Sequence, residues 1–171
     1  MSRICPLSVS LLFFALLTGV AIPTIAADPV QSGIQKAYDG ECAGLTSRNI
    51  AAATNFISAD FVGTEPSNKL TNRGDLVESL SALIAQYRLG SCVTRIISVA
   101  QNLGQYTVSV EQTAEGATNS YPVQTVQAVS LQSDSWTEVA GNWRLSASVV
   151  TERTLRSNGL VVLHEVRQQN P

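Results

Sequence analysis

Apolar and polar residues alternate through residues 121–151 on both sides of a short turn. Val126-Gln-Ala-Val-Ser-Leu131 and Ser133-Asp-Ser-Trp136 lead into it, and Gly141-Asn-Trp-Arg-Leu145 leads away. A period of two interrupted by a turn predicts an antiparallel hairpin with one dry face. The turn falls at Val139-Ala-Gly-Asn142, where Gly141 or Asn142 takes the positive φ that tight connections need. Trp136 and Trp143, the only two tryptophans, flank it, so this hairpin carries much of the aromatic volume.

Upstream the period is helical. Asp28 caps a helix that has Pro29 in its first turn and Gln31 placed for a capping box. Val30, Ile34, Ala37, Tyr38 and Leu45 fall on one stripe, with Cys42 beside it. Gly44 is expected to end or loosen this helix. A second helix is expected over 47–59, capped by Thr46, with Ile50, Ala53, Thr54, Phe56 and Ile57 on its buried side. A short strand at 61–62, a turn at 63–68 and a returning strand at 69–71 follow. Asn72 caps a third helix, with Asp75 three residues on. Its apolar stripe is Leu76, Val77, Leu80, Leu83, Ile84 and Tyr87, and Gly90 closes it.

From Cys92 the period returns to two. A strand over 93–100 turns at 102–104. Tyr106, Val108 and Val110 then alternate with Thr107, Ser109 and Glu111, and 115–119 reads as a loop before the long hairpin. Residues 146–151 continue the second hairpin strand, and 160–166 add an edge strand or a loose tail. Helices first and strands afterwards argue an α+β domain. A cone-like, curved antiparallel sheet wrapped around the N-terminal helices would bury all three helical stripes and leave a pocket on its concave side.

Composition sets the boundaries. Arg3, the apolar run Leu11-Leu-Phe-Phe-Ala-Leu-Leu17 and the small residues Thr24-Ile-Ala-Ala27 have the layout of a secretory signal peptide over 1–27. Cleavage after Ala27 or Ala26 fits, and the product is expected to be secreted or periplasmic. Residues 28–152 then form one domain, with 153–171 as a tail or extra edge strand. The whole chain has 11 basic and 13 acidic side chains and no basic run, so a nucleic-acid backbone is not an expected partner. No later apolar stretch reaches membrane length. Cys42 and Cys92 read as one disulfide in an oxidising compartment, with two reduced, buried cysteines as the alternative. Two thiols and the single His164 make no recognisable metal site, and no cofactor is expected.

The hairpin residues Asp134-Ser-Trp136 and Gly141-Asn-Trp-Arg-Leu145 carry a family likeness. They resemble secreted domains of the nuclear transport factor two-like superfamily, the cone-shaped fold of SnoaL-like polyketide cyclases, ketosteroid isomerases and scytalone dehydratase. Segments 50–61 and 71–80 share the resemblance, which covers roughly residues 29–151. It implies the fold more strongly than an activity, because this scaffold hosts unrelated functions. The isomerase members use a tyrosine on the first helix as oxyanion donor, an aspartate base after the second helix and an acidic donor on a central strand. Tyr38 matches the first of these. Thr64 falls near the slot of the base and Glu65 one place along, where a strand turns to its other face. The strand over 125–131 has no carboxylate, and the cone has no histidine.

The candidate residues each have a plain structural account beside the chemical one. Tyr38 is an oxyanion donor or a buried tyrosine with a satisfied hydroxyl. Glu65 is a general base in a dry cone or a solvated turn residue. Asp134 and Arg95 form an ion pair or anion site, or are surface charge on the sheet. Trp136 and Tyr106 stack on an apolar ligand or fill the core. Trp143 packs, with Leu145, Ala147 and Val149 continuing its face.

The leading expectation is a secreted, non-catalytic domain. It would hold a small apolar molecule on Tyr38, Tyr106 and Trp136, or form a homodimer through an outer sheet face of Thr107, Ser109, Ser146, Ser148 and Val150. The alternative is an isomerase or lyase for a small cyclic or polyketide-like substrate. Tyr38 would then stabilise the oxyanion, and Glu65 or Asp134 would move the proton.

Overall fold

The computed structural model describes residues 28–168. The expected leader over 1–27 lies outside the described residues. Helix α1 (Pro29–Thr46) starts where Asp28 accepts a hydrogen bond from the Val30 N–H. Ile34, Tyr38, Cys42 and Leu45 form its buried face. The helix runs through Gly44 instead of ending there. A Cβ at Gly44 would lie 2.4 Å from the Ala53 backbone nitrogen, so this glycine serves the close approach of the next segment.

That segment is shorter than its hydrophobic stripe suggests. Helix α2 (Ile50–Ala53) is one turn, capped by Asn49 and not by Thr46. The Thr54 hydroxyl bonds back to the Ile50 carbonyl, and the Phe56 carbonyl accepts the Leu145 N–H. The sheet therefore captures the chain from Phe56 onward, and strand β1 (Ile57–Thr64) replaces the rest of the expected helix. Strand β2 (Leu70–Asn72) returns along β1, and Asn72 and Asp75 close the expected capping box of helix α3 (Arg73–Gln86). No residue of α3 is fully buried.

Four long strands follow directly. They are β3 (Tyr87–Asn102), β4 (Gln105–Thr118), β5 (Thr125–Val139) and β6 (Asn142–Ser157), with β7 (Leu160–Val166) as a last short strand. The sheet order is β2-β1-β6-β5-β4-β3, with β7 also on β6. All pairs are antiparallel except β1 with β6, which is parallel. The architecture is thus α+β, with a curved, largely antiparallel sheet packed on N-terminal helices. The stretch 115–119 is not a loop; β4 runs through it to Thr118. Asn119 then caps the end of α3, donating from its backbone and side-chain amides to the Gln86 and Ala85 carbonyls.

Bulges bend the sheet and decide what faces inward. In β6, Leu145 pairs with Trp136 and Ala147 with Ser135, leaving Ser146 extra. Val150 pairs with Gln132 and Glu152 with Leu131, leaving Thr151 extra. Each extra residue bends its strand and shifts the alternation by one. Ser148 and Val150, expected on the outer face, therefore turn into the cone, while Ala147 and Val149 leave the face that Leu145 occupies. Thr107 and Ser109 stay outside, alternating with buried Val108 and Val110.

Three hairpin turns share one geometry. Leu103 and Gly104, Ala140 and Gly141, and Asn158 and Gly159 each take two successive positive φ angles, as a two-residue turn of the mirror-image kind requires. Ala140, not Asn142, joins Gly141 in the left-handed region. Asn tolerates that region better than Ala or Leu. Ala140→Asn is expected to raise stability by about 1 kcal/mol, checked by urea denaturation, with the Asn158–Gly159 turn as the natural precedent.

The core joins Ile34 and Tyr38 of α1 to Phe56, Ile57, Phe61, Val108, Val110, Trp136 and Leu145. A second cluster of Leu45, Ala53 and Leu89 lies under α3. Between them Cys42 and Cys92 form the expected disulfide, with Cα atoms 5.1 Å apart and a sequence separation of 50. It ties α1 to β3. A cross-link closing such a loop restricts the unfolded chain by about 4 kcal/mol. Replacing both cysteines by serine should lower the unfolding free energy by that order, read as a shift in denaturant midpoint. Among the described residues no helix is long and apolar enough to cross a membrane.

Candidate active site

The concave side of the sheet encloses a cavity of about 480 Å³, within the usual range of small-molecule sites. Helix α3 spans it with Leu76, Leu80 and Leu83. Phe56, Ile57 and Phe61 line one wall, and Val110, Ala114, Leu145 and Val150 line the sheet side. The underside of α3 faces this space instead of a packed core, which is why its apolar stripe is only half-buried.

The polar groups gather on α1, β4, β5 and β6. The Tyr38 hydroxyl donates to Asp134 Oδ2 at 2.5 Å and accepts the indole N–H of Trp136 at 2.9 Å. Tyr38 is 2% exposed and Asp134 1% exposed. Glu41 lies one helical turn beyond Tyr38 on the same face of α1 and lines the cavity. The Gln112 side-chain amide contacts its carboxyl and also donates to the Thr94 hydroxyl at 3.2 Å.

Burial governs the acidity of this group. It pushes the Asp134 carboxyl up to about 6, against the opposing pull of the Ser148 and Tyr38 hydroxyls. It pushes Glu41 up to about 7, helped by the charge of Asp134 and opposed by Gln112. Tyr38 is raised well above its ordinary value, first by burial and then by Asp134, so it stays protonated and donates. Asp134 Oδ1 has no hydrogen-bond partner.

The structure thus unites two of the sequence candidates, Tyr38 and Asp134. Asp134 lies on the central strand after all, because β5 extends to Val139. Glu65 also lines the cavity, but at its other end, where Arg153 Nη2 binds it at 2.5 Å and Glu165 stands 3.9 Å from Arg153 Nη1. Arg95 does not meet Asp134; it pairs with Glu111 on the outer face at 3.3 Å. Trp136 is fully buried behind Tyr38, stacked on Phe56 at 5.5 Å, and reaches the cavity only through its hydrogen bond. Tyr106 packs edge-on against Trp143 at 5.4 Å, away from the cavity lining. His164 lies on β7 beside Thr154 and Glu152. Among the described residues no group of three or more His, Cys, Asp or Glu side chains is placed to hold a metal ion.

Glu41 was absent from the sequence candidates. Its signal was a charged residue three positions after Tyr38 on an otherwise apolar helix face.

No family model matches the sequence, and no curated protein matches it. Solved structures do share its shape. One is an NTF2-like protein from Cytophaga hutchinsonii, at 14% identity and a TM-score of 0.57 over 70% of this chain and 95% of that one. A hexachlorocyclohexane dehydrochlorinase superposes with a TM-score of 0.55 at 10% identity, over 83% of this chain and 94% of its own. A proposed scytalone dehydratase from Novosphingobium aromaticivorans gives 0.56 at 10% identity, over 82% and 89%. The chain therefore has the cone-shaped, nuclear transport factor two-like fold.

Proposed function

We propose that this protein is an isomerase or lyase that moves a proton on a small, largely apolar cyclic or polyketide-like molecule. The supporting observation is the pair of buried carboxyls, Asp134 and Glu41, at one end of an apolar cavity, with acidities displaced toward neutral pH. Two neighbouring carboxyls that burial raises toward neutral can serve as base and acid. Asp134, oriented by the Tyr38 hydroxyl at Oδ2, takes a proton from carbon. Glu41, one helical turn from Tyr38 in the same lining, delivers a proton to the carbonyl or leaving-group oxygen. Each transfer of this kind contributes about 10²–10⁴-fold. The names of two structural neighbours, a dehydrochlorinase and a dehydratase, denote eliminations and fit this class.

The site expectations change accordingly. Tyr38 positions the base, Asp134 is the base, and Glu65 holds Arg153 at the rim. The leader expected over 1–27 and the disulfide both support a secreted or periplasmic location.

A second reading keeps the cavity and drops the chemistry. The apolar walls alone suit a binding module, and the outer face around Thr107 and Ser109 suits self-association. NMR in D₂O separates the readings. Purified protein is incubated with a panel of cyclic enones and β-hydroxy ketones, and deuterium uptake beside the carbonyl or loss of water is followed. Turnover that Asp134→Asn removes supports the enzyme. Saturable binding without exchange or elimination leaves only the binding module.

A further inference from the structure

We infer that the Asp134–Glu41 end of the cavity is a binding site for a protonated amine carried on a small apolar body. The inference rests on reading the cavity as a ligand site, but not on any proton transfer there.

Charge balance comes first. Three carboxyls line the cavity: Glu41, Asp134 and Glu65. Arg153 is the one cation among the described lining residues, and Glu65 already holds it. The other two carboxyls have no counter-ion. Buried charges are normally paired, and an unpaired one is costly.

The hydrogen-bond inventory points the same way. Asp134 is 1% exposed, and its Oδ1 is an acceptor without a donor. The nearest donors are engaged: Tyr38 with Oδ2, Trp136 with Tyr38, and the Ser148 hydroxyl, which pulls on the Asp134 carboxyl, with Gln132 Oε1 at 3.2 Å. An ammonium has three N–H donors and no acceptor. It can bond the Glu41 carboxyl and offset the neighbouring charge of Asp134. Phe56 and Phe61, in the same lining, offer apolar contact to its carbon body. An anionic head would meet uncompensated carboxyls here. A hard divalent cation would find too few oxygens, since calcium takes six to eight.

The ionisable groups facing the pair are few. Tyr38 comes from α1, Glu65 from the end of β1, Tyr87 from β3 and Arg153 from β6. The cavity-lining residues of β4 and α3 include no acidic or basic side chain. Ionisation of Asp134 and Glu41 therefore sets the pH dependence. An alkyl amine stays charged to about pH 10, so binding should strengthen as the carboxyls ionise.

The test uses three probes of one shape: 2-phenylethylamine, 2-phenylethanol and phenylacetate. Titration calorimetry on the disulfide-intact protein compares them at about pH 5.5 and about pH 8, on either side of the displaced acidities. The amine should bind at least about tenfold more tightly than the alcohol near pH 8, and the gap should shrink near pH 5.5. Asp134→Asn and Glu41→Gln, each verified as folded by its unfolding transition, should each narrow the amine's advantage. The inference is overturned if the alcohol or phenylacetate equals the amine near pH 8, or if none of the three binds. It is also overturned if both folded variants keep the full preference. Amine binding without deuterium exchange would sink the enzyme and leave this inference standing; exchange without amine preference would do the reverse.

Discussion

Trp136→Ala is expected to lower the unfolding free energy by about 5 kcal/mol, the top of the range for deleting a buried aromatic side chain. Trp136 is 0% exposed. Its ring stacks on Phe56 and meets Tyr38 edge-on at 5.1 Å. Alanine would leave a void between α1 and the sheet and remove the N–H that Tyr38 accepts. A domain of this size has roughly 5–15 kcal/mol to lose, so the variant would give up a third or more of its stability. Trp143→Ala is the control. Trp143 lies only partly buried at the edge of the same core and should cost clearly less. Urea denaturation followed by far-UV circular dichroism decides the comparison. Equal losses would mean that Trp136 is not the centre of the core.

How much of this was legible in the sequence depends on the length over which a signal repeats. The long hairpin and the capping box at Asn72 and Asp75 were legible because period and cap chemistry are local. The Cys42–Cys92 pair was legible from the cysteine count and the leader expected over 1–27. The second helix was not, because the competing interaction, Leu145 N–H to the Phe56 carbonyl, spans almost ninety residues of sequence. Parity on β6 failed at Ser146 and Thr151 because a bulge leaves no mark in an alternating pattern. The Ser146 bulge moved Ser148 and Val150 from the outer face into the cone.

The site was half legible. Tyr38 and Asp134 were named, but on separate grounds, since only the β5 register sets one against the other. Glu41 was passed over because helix stripes are read by their apolar members. The more informative residue on that stripe was the one that broke it. Glu65 looked free in the sequence because its partner, Arg153, lies on a strand far along the chain.

Asp134→Asn should move stability and activity in opposite directions. Asp134 rises from 3.8 to about 6 and Glu41 from 4.5 to about 7 in the folded protein. Between those limits the folded chain binds more protons than the unfolded one, so stability falls as pH rises. This contribution is complete below about pH 4 and is lost as pH climbs through 6 and 7. For Asp134 the loss is on the order of 3 kcal/mol at about 1.4 kcal/mol per pKa unit. Asparagine keeps an acceptor for the Tyr38 hydroxyl and carries no charge to desolvate. The variant should therefore match the wild type near pH 4 and exceed it near pH 8, by urea denaturation at each pH. On any substrate found by deuterium exchange, its rate should drop by about 10²–10⁴-fold, the usual contribution of one general base. A variant less stable than the wild type near pH 8 would mark the Asp134 carboxylate as a structural acceptor. A more stable but inactive variant is the expected signature of a group held in an unfavourable state for the sake of its chemistry.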